Sequence, residues 1–235
     1  MPVAIAARRS DRLDSLAAEI RAMGGKAMPF SCDVTDAAMC ERFLVQTIET
    51  FGDLYAVFAN AGYGVECAVA DTTDYDDRKI FETNFYGSMN LVRPALSYML
   101  EHKRGHIMFC SSCLAKVGTP LYASYSASKA AQDHYARAMR IELAAKGIYV
   151  SSVHPIGTST EFIEKVSEQS KDARLALRTP RMLMQPPERV ANAIVKCLKK
   201  PRGEVWTSWT ARTALGLGVI FPGIADRVLR RMVKM

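Results

Sequence analysis

No uninterrupted apolar run in the 235 residues approaches the ~20 that a membrane-spanning helix needs, so a soluble chain is expected. The stretch from Met1 to Arg9 has neither a basic leader followed by a long apolar segment nor a small-residue cleavage site, so no secretory signal is readable and a cytoplasmic location is expected. Cysteine is present without a disulfide pattern. Cys32, Cys40, Cys67, Cys110, Cys113 and Cys197 lie in apolar or helical contexts that suit reduced thiols. Only Cys110 and Cys113 form a C-x-x-C, with no second pair, no histidines at ligand spacing and no helix start, so no metal or dithiol chemistry is expected. The G-x-S-x-G of serine hydrolases is missing. Ser126-Ala127-Ser128-Lys129 fits S-x-x-K, but the K-T-G and S-D-N that would accompany it in penicillin-binding enzymes are absent. There is no repeat, low-complexity tract or linker, so the length fits one domain with one sizeable core.

Acidic residues are scarce at one end only. From Lys165 to Met235 fifteen Lys and Arg face five Asp and Glu, a local +10, which leaves the first 164 residues at −3. Such basic surface suits nucleic acid, an anionic membrane face or a phosphorylated cofactor. A solvated basic face is a better reading than nucleic acid, which is not expected as a partner.

What is there alternates. Short apolar runs rich in β-formers are followed by helical patterns from Val3 to Trp206, the signature of repeated βα units around a parallel sheet. Strands are expected at Val3 to Ala7, Ala27 to Ser31, Leu54 to Ala59, Gly105 to Cys110, Ile148 to Val153 and Gly203 to Trp206. Helices are expected at Asp11 to Met23, Asp36 to Phe51, Thr73 to Phe81 continuing through Asn84 to His102, Tyr122 to Lys146, from Pro186-Pro187-Glu188 to about Lys199, and at Ile224 to Lys234. Gly24-Gly25, Gly52 and Gly147 act as helix stops, and Pro186-Pro187 as a helix start. Residues 1–206 form the βα core and 207–235 an apolar, basic helical tail.

Tyr125 and Lys129, four apart near the start of a long helix, share one face. An ammonium beside a phenol favours the phenolate and should lower its pKa from about 10, giving a usable acid/base group. Ser112 stands thirteen residues earlier at a strand end, where ligand groups gather in α/β sheets. Asn60-Ala61-Gly62 closes another strand, and Asn84-Phe85-Tyr86-Gly87 opens a helix.

Together these motifs resemble the short-chain dehydrogenase/reductase family, with N-A-G, N-x-x-G, and a serine thirteen residues before Y-x-x-x-K in order and at similar spacing. Asp33-Val34 matches the pair that meets the adenine, and Arg8-Arg9 ends the strand that approaches the adenosine ribose. The resemblance implies a Rossmann-like parallel sheet with helices on both faces and an oxidoreductase acting on a carbonyl or secondary alcohol. Tyr125 would exchange a proton with the substrate oxygen, Ser112 would hydrogen-bond it, and Lys129 would hold the nicotinamide ribose and tune Tyr125. Asn84, through a helix distortion, would position a water of the proton relay. Asp33, Val34, Asn60, Ala61, Gly62, Tyr125, Lys129, Pro155, Gly157, Thr158 and Thr160 would line the cofactor. Arg8 and Arg9, with no acid before Asp11, favour NADP (NADPH) over NAD. Homodimers or homotetramers are also implied, through the Asn84 to His102 and Tyr122 to Lys146 helices.

Two departures accompany the resemblance. The family's opening strand with its T-G-x-x-x-G-x-G turn and helix has no counterpart, since Met1 to Arg9 matches the second strand. In the order 3-2-1-4-5-6-7 the missing strand is central and would leave a gap of about 4.8 Å, one strand spacing. Pro155-Ile156-Gly157 also carries a residue between the family's adjacent Pro and Gly. The alternative to an enzyme is therefore a cofactor-deficient interaction module of the same fold. Phe162, Ile163, Leu175, Leu177, Met182, Leu183 and Met184 form either a lid suited to a lipophilic substrate or ordinary core. In the tail, Ile224, Val228 and Met232 lie opposite Arg227, Arg230, Arg231 and Lys234. Packing against the body or a second subunit is expected ahead of peripheral membrane contact.

Overall fold

The computed structural model describes residues 1–170 and 184–233. Two parallel sheets run through it. In the first, β1 (Val3–Ala7) pairs with β2 (Ala27–Ser31), Val3 opposite Ala27. The second has the order β3 (Ala56–Ala59), β4 (Gly105–Cys110), β5 (Ile148–His154), β6 (Glu204–Trp206). Neither β1 nor β3 has a strand partner on its other side among the described residues. The sheets thus divide between the expected second and fourth strands of the Rossmann-like order.

The helices follow the punctuation of the sequence. α1 (Ser10–Ala22) covers β2, and α2 (Ala37–Phe51) starts where the Asp36 carboxylate accepts from the Met39 N–H and stops at Gly52. α3 (Asp74–Phe81) opens on a reciprocal capping box between Thr73 and Asp76. A single π turn, Glu82–Tyr86, joins it to α4 (Gly87–His102), so the helix expected from Asn84 is distorted at that residue. α5 (Ala123–Leu143) ends through a short 3₁₀ turn at Gly147, whose φ is 73° and where a Cβ would stand 2.3 Å from the Lys103 carbonyl oxygen. Only glycine fits there. α6 (Glu161–Gln169) and α7 (Pro187–Lys199) follow.

Alternation along β4 feeds two cores. Ile107 and Phe109 point to the α4 and α5 side, where Met89, Val92, Ala95, Met99, Ala136 and Met139 cover them. Met108 points the other way with Val153 and Val205, against Val190, Ile194 and Cys197 of α7. Helices on both faces leave the strands buried on both sides, which is why they read as nearly continuous apolar runs.

His106 departs from that pattern. It is fully buried in β4, its Nε2 2.7 Å from the Ser151 Oγ, while Nδ1 has no partner among the described residues. Burial pulls its pKa down from the ordinary 6.5 to about 4. The unfolded chain then binds the extra proton first, so stability is fully present above pH ~6.5 and is lost as pH falls towards 4. The loss is on the order of 3 kcal/mol. Urea midpoints measured across this window should fall with acid, and His106→Leu should flatten the fall. An unchanged slope in the variant would assign it to other groups.

The tail is two helices, not one. α8 (Trp209–Ile220) falls in the expected apolar helical tail, where the sequence marks no separate helix bounds, and α9 (Pro222–Val233) covers the expected terminal helix. Ala225 lies 3.5 Å from a Cβ built on Gly218, which brings the two together as a hairpin. Ile224 and Val228 are nonetheless 61% and 53% exposed, so packing of that apolar face on the body is not what the structure shows. The helix turns Ala225 and Leu229 inward instead. Lys234 and the Met232 side chain lie outside the described residues, as do Leu175, Leu177, Met182 and Leu183.

Candidate active site

The C-terminal ends of β3, β4 and β5 bring the expected groups together. Ser112 follows β4 and accepts from the Leu114 N–H at 3.1 Å, and the Ser111 hydroxyl donates to the Lys129 carbonyl at 3.0 Å. That second bond ties the strand end to the first turns of α5, which carry Tyr125 and Lys129. The Tyr125 ring is buried between Tyr122 and Phe162, with centroids 6.2 and 5.6 Å away, and its phenol meets the Ser112 hydroxyl. Leu121, just ahead of this helix, has φ 65°, a left-handed conformation costly for a leucine.

Burial raises the Tyr125 pKa, and the Ser112 hydrogen bond offsets only part of the rise. The expected lowering by Lys129 is not found. The Lys129 ammonium donates to the Cys110 carbonyl at 2.7 Å and to Gln132 Oε1 at 3.0 Å, and lies 5.9 Å from the Tyr125 ring centre. Burial also lowers the Lys129 pKa, so both groups are driven towards their neutral forms.

Asn84 occupies the π turn and is fully buried. Its side chain accepts from the Tyr63 N–H at 2.9 Å and donates to the Tyr63 carbonyl and the Ser128 hydroxyl. Its main-chain carbonyl accepts from Gln132 Nε2 at 2.7 Å. Gln132 therefore links Lys129 to the Asn84 carbonyl directly. The sequence reading missed Gln132, although it lies on the face of α5 that carries Tyr125 and Lys129, seven residues beyond the tyrosine.

A buried charged network also went unseen. The Lys116 ammonium binds Asp133 at 2.6 Å and Glu204 at 2.9 Å, and His154 Nε2 stands 3.3 Å from Asp133 Oδ1. His154 stacks on Trp206 and places Nδ1 3.1 Å from the Ser112 carbonyl oxygen, so the network braces the main chain of the site serine. Burial would raise the Asp133 pKa, but His154, Lys116 and Ser152 together hold it far below the usual carboxylate range. Asp133, His154 and Glu204 are close enough to ligate a cation, yet the Lys116 ammonium already serves as one.

The expected cofactor residues are spread around this centre. Asn60, Ala61 and Gly62 are exposed at the end of β3, and a Cβ on Gly62 would stand 3.0 Å from both Asn84 Oδ1 and Lys129 Nζ. Asp33 accepts from the N–H and hydroxyl of Thr35, which lower its pKa. The Val34 side chain packs on Gly87, and its carbonyl accepts from Asn90. Arg9 pairs with Glu161 at 2.9 Å and Arg12 binds the same carboxylate, whereas Arg8 makes no ion pair with the described residues. The Pro155 carbonyl accepts from the Cys113 N–H, and the Gly157 carbonyl from the Gln185 N–H. Thr158 donates to the Ile156 carbonyl and accepts from Gln185 Nε2, and Thr160 caps α6. Phe162 and Ile163 pack around Val166 beside Tyr122, over the Tyr125 ring.

The sequence pattern of the short chain dehydrogenase family matches residues 1–171. The chain belongs to that family. An A-factor type gamma-butyrolactone 1'-reductase of Streptomyces virginiae is 34% identical over 197 residues, covering 81% of this chain and 76% of the relative. A ketoacyl reductase of Nostoc sp. is 29% identical over 218 residues, 90% of this chain and 73% of the relative. The fold of this family member is also that of a short chain dehydrogenase/reductase from Burkholderia phymatum in complex with NAD. That match has a TM-score of 0.85 and 20% identity, over 92% of this chain and 83% of the other. As a short-chain dehydrogenase/reductase, the protein is a nicotinamide-dependent oxidoreductase.

Proposed function

We propose that this chain reduces a lipophilic carbonyl, or oxidises the matching secondary alcohol, with NADP in preference to NAD. The observation that carries the reading is the buried Tyr125 phenol beside the Ser112 hydroxyl, with Lys129 one helical turn on. Two features fit a dinucleotide. Gly62 leaves the backbone bare against Asn84 and Lys129, and the buried Gln185 Oε1 beside Thr158 has no donor among the described residues. When bound, the nicotinamide supplies or takes the hydride at the reacting carbon. Asp33 and Val34 would line the adenine, and Asn60 to Gly62, Lys129, Pro155, Gly157, Thr158 and Thr160 the remainder. Ser112 would donate to the substrate oxygen, and Tyr125 would give it a proton. Burial holds the phenol in its neutral form, which carries the proton that Tyr125 would donate. Phe162 over the Tyr125 ring offers apolar contact to the substrate.

The cofactor preference rests on Arg8 and Arg9 at the end of β1. Each charge-assisted bond to a 2′-phosphate contributes about 1.5 to 3 kcal/mol, roughly ten- to hundredfold in affinity. Arg8→Ala with Arg9→Ala should raise the NADPH Michaelis constant by at least about tenfold and leave the NADH value nearly unmoved. Equal changes for both cofactors would return these arginines to surface decoration. A homodimer or homotetramer built on α4 and α5 is part of the same proposal.

A further inference from the structure

We infer that the α8 and α9 hairpin is a docking surface for an anionic lipid bilayer, entered by the turn at Ile220, Phe221 and Pro222. The two helices differ in the way such a surface requires. Among its twelve residues α8 carries a single charge, Arg212, and is apolar on every side. Only one side of it is partly covered, by Ala211, Leu215 and Gly218 facing the 3₁₀ turn Cys113–Lys116 and α9. Trp209, Leu217, Ile220 and Phe221 remain 74%, 51%, 67% and 52% exposed. Side chains this open line no groove; they project.

α9 supplies the charge. At 100° per residue, Ile224 and Val228 form a stripe beside the inward Ala225 and Leu229, and Arg227 and Arg231 flank that stripe on its open side. Arginines so placed can lay their stems along an apolar surface and hold the guanidinium at headgroup level. Arg212 lies 4.8 Å over the Trp209 ring, an aromatic and cationic pair at the other end of the hairpin. From Trp209 to Val233 four arginines face one acid, Asp226, a net +3.

Charge decides the occupant. A second copy docked through this face would bring the same +3 against itself, and like charge juxtaposed across an interface is costly. Anionic headgroups above an apolar interior match both the arginines and the apolar stripe. Spanning is excluded by length: twelve residues rise ~18 Å against a ~30 Å hydrocarbon core. No helix among the described residues is long and apolar enough to cross a membrane.

The test is co-sedimentation of the full chain with phosphatidylcholine vesicles, with and without phosphatidylserine, and light scattering of the chain alone. Binding should require phosphatidylserine and weaken as salt shortens the screening length. Each arginine near such a surface accounts for about fivefold in partitioning, so Arg227→Gln, Arg230→Gln and Arg231→Gln together should cost about a hundredfold. Ile220→Asp with Phe221→Asp should cost as much without moving the thermal midpoint, because both side chains are already solvated. Absence of binding to anionic vesicles, or binding untouched by either set, would overturn the proposal. Hairpin-dependent dimerisation without vesicle binding would do the same and assign the surface to a second copy.

Discussion

Tyr125→Phe lowers the rate of NADPH-dependent ketone reduction by about a hundredfold or more, the usual contribution of a positioned acid/base group. The ring is what packs against Tyr122 and Phe162, and phenylalanine keeps it, so the thermal midpoint stays within a few degrees of the parent. Ser112→Ala isolates a different contribution, because it removes the hydroxyl that meets the phenol while leaving the proton source in place. The measurement is steady-state turnover with each variant, alone and in the extended chain described next. A Tyr125→Phe chain that turns over at the parental rate would remove Tyr125 from the mechanism, and the function proposed for this site with it.

The second large effect concerns the break between the sheets. β1 and β3 each present a ladder edge that no described strand pairs, and unpaired strand backbone away from water costs free energy. Fusing a βα unit with a glycine-rich turn ahead of Met1 should pair both edges and raise the thermal midpoint by roughly 10 °C. Such a shift corresponds to a few kcal/mol in a domain of this size. Dinucleotide affinity should rise with it, because a helix N-terminus then faces the pyrophosphate. Calorimetry of both chains with and without NADPH reads the two effects. A cooperative transition in the unextended chain, shifted upward by NADPH as far as in the extended one, would show that β1 and β3 need no strand between them.

What was legible beforehand follows from how local the signals are. Asp36, Gly52, Gly147 and Pro187 act on their own helix ends, and the structure places those ends within a residue or two of expectation. Tyr125 and Lys129 needed only helical periodicity. The charged network did not announce itself, because Lys116, Asp133, His154 and Glu204 come from four different elements, with Lys116 and Glu204 88 positions apart. The bounds of α8 within the expected helical tail could not be drawn for the opposite reason: a segment apolar on every side, with two glycines, has no period to detect. The phenol pKa went wrong because spacing says that an ammonium is near but not where it points, and here it points at a carbonyl and an amide.

Gln132 gives the inner side of the site a fixed polarity. Its Oε1 receives from Lys129 and its Nε2 gives to the Asn84 carbonyl, and neither end exchanges its role without leaving its partner. The amide is therefore a keyed strut between the long helix and the π turn, and it holds the Lys129 ammonium in one orientation.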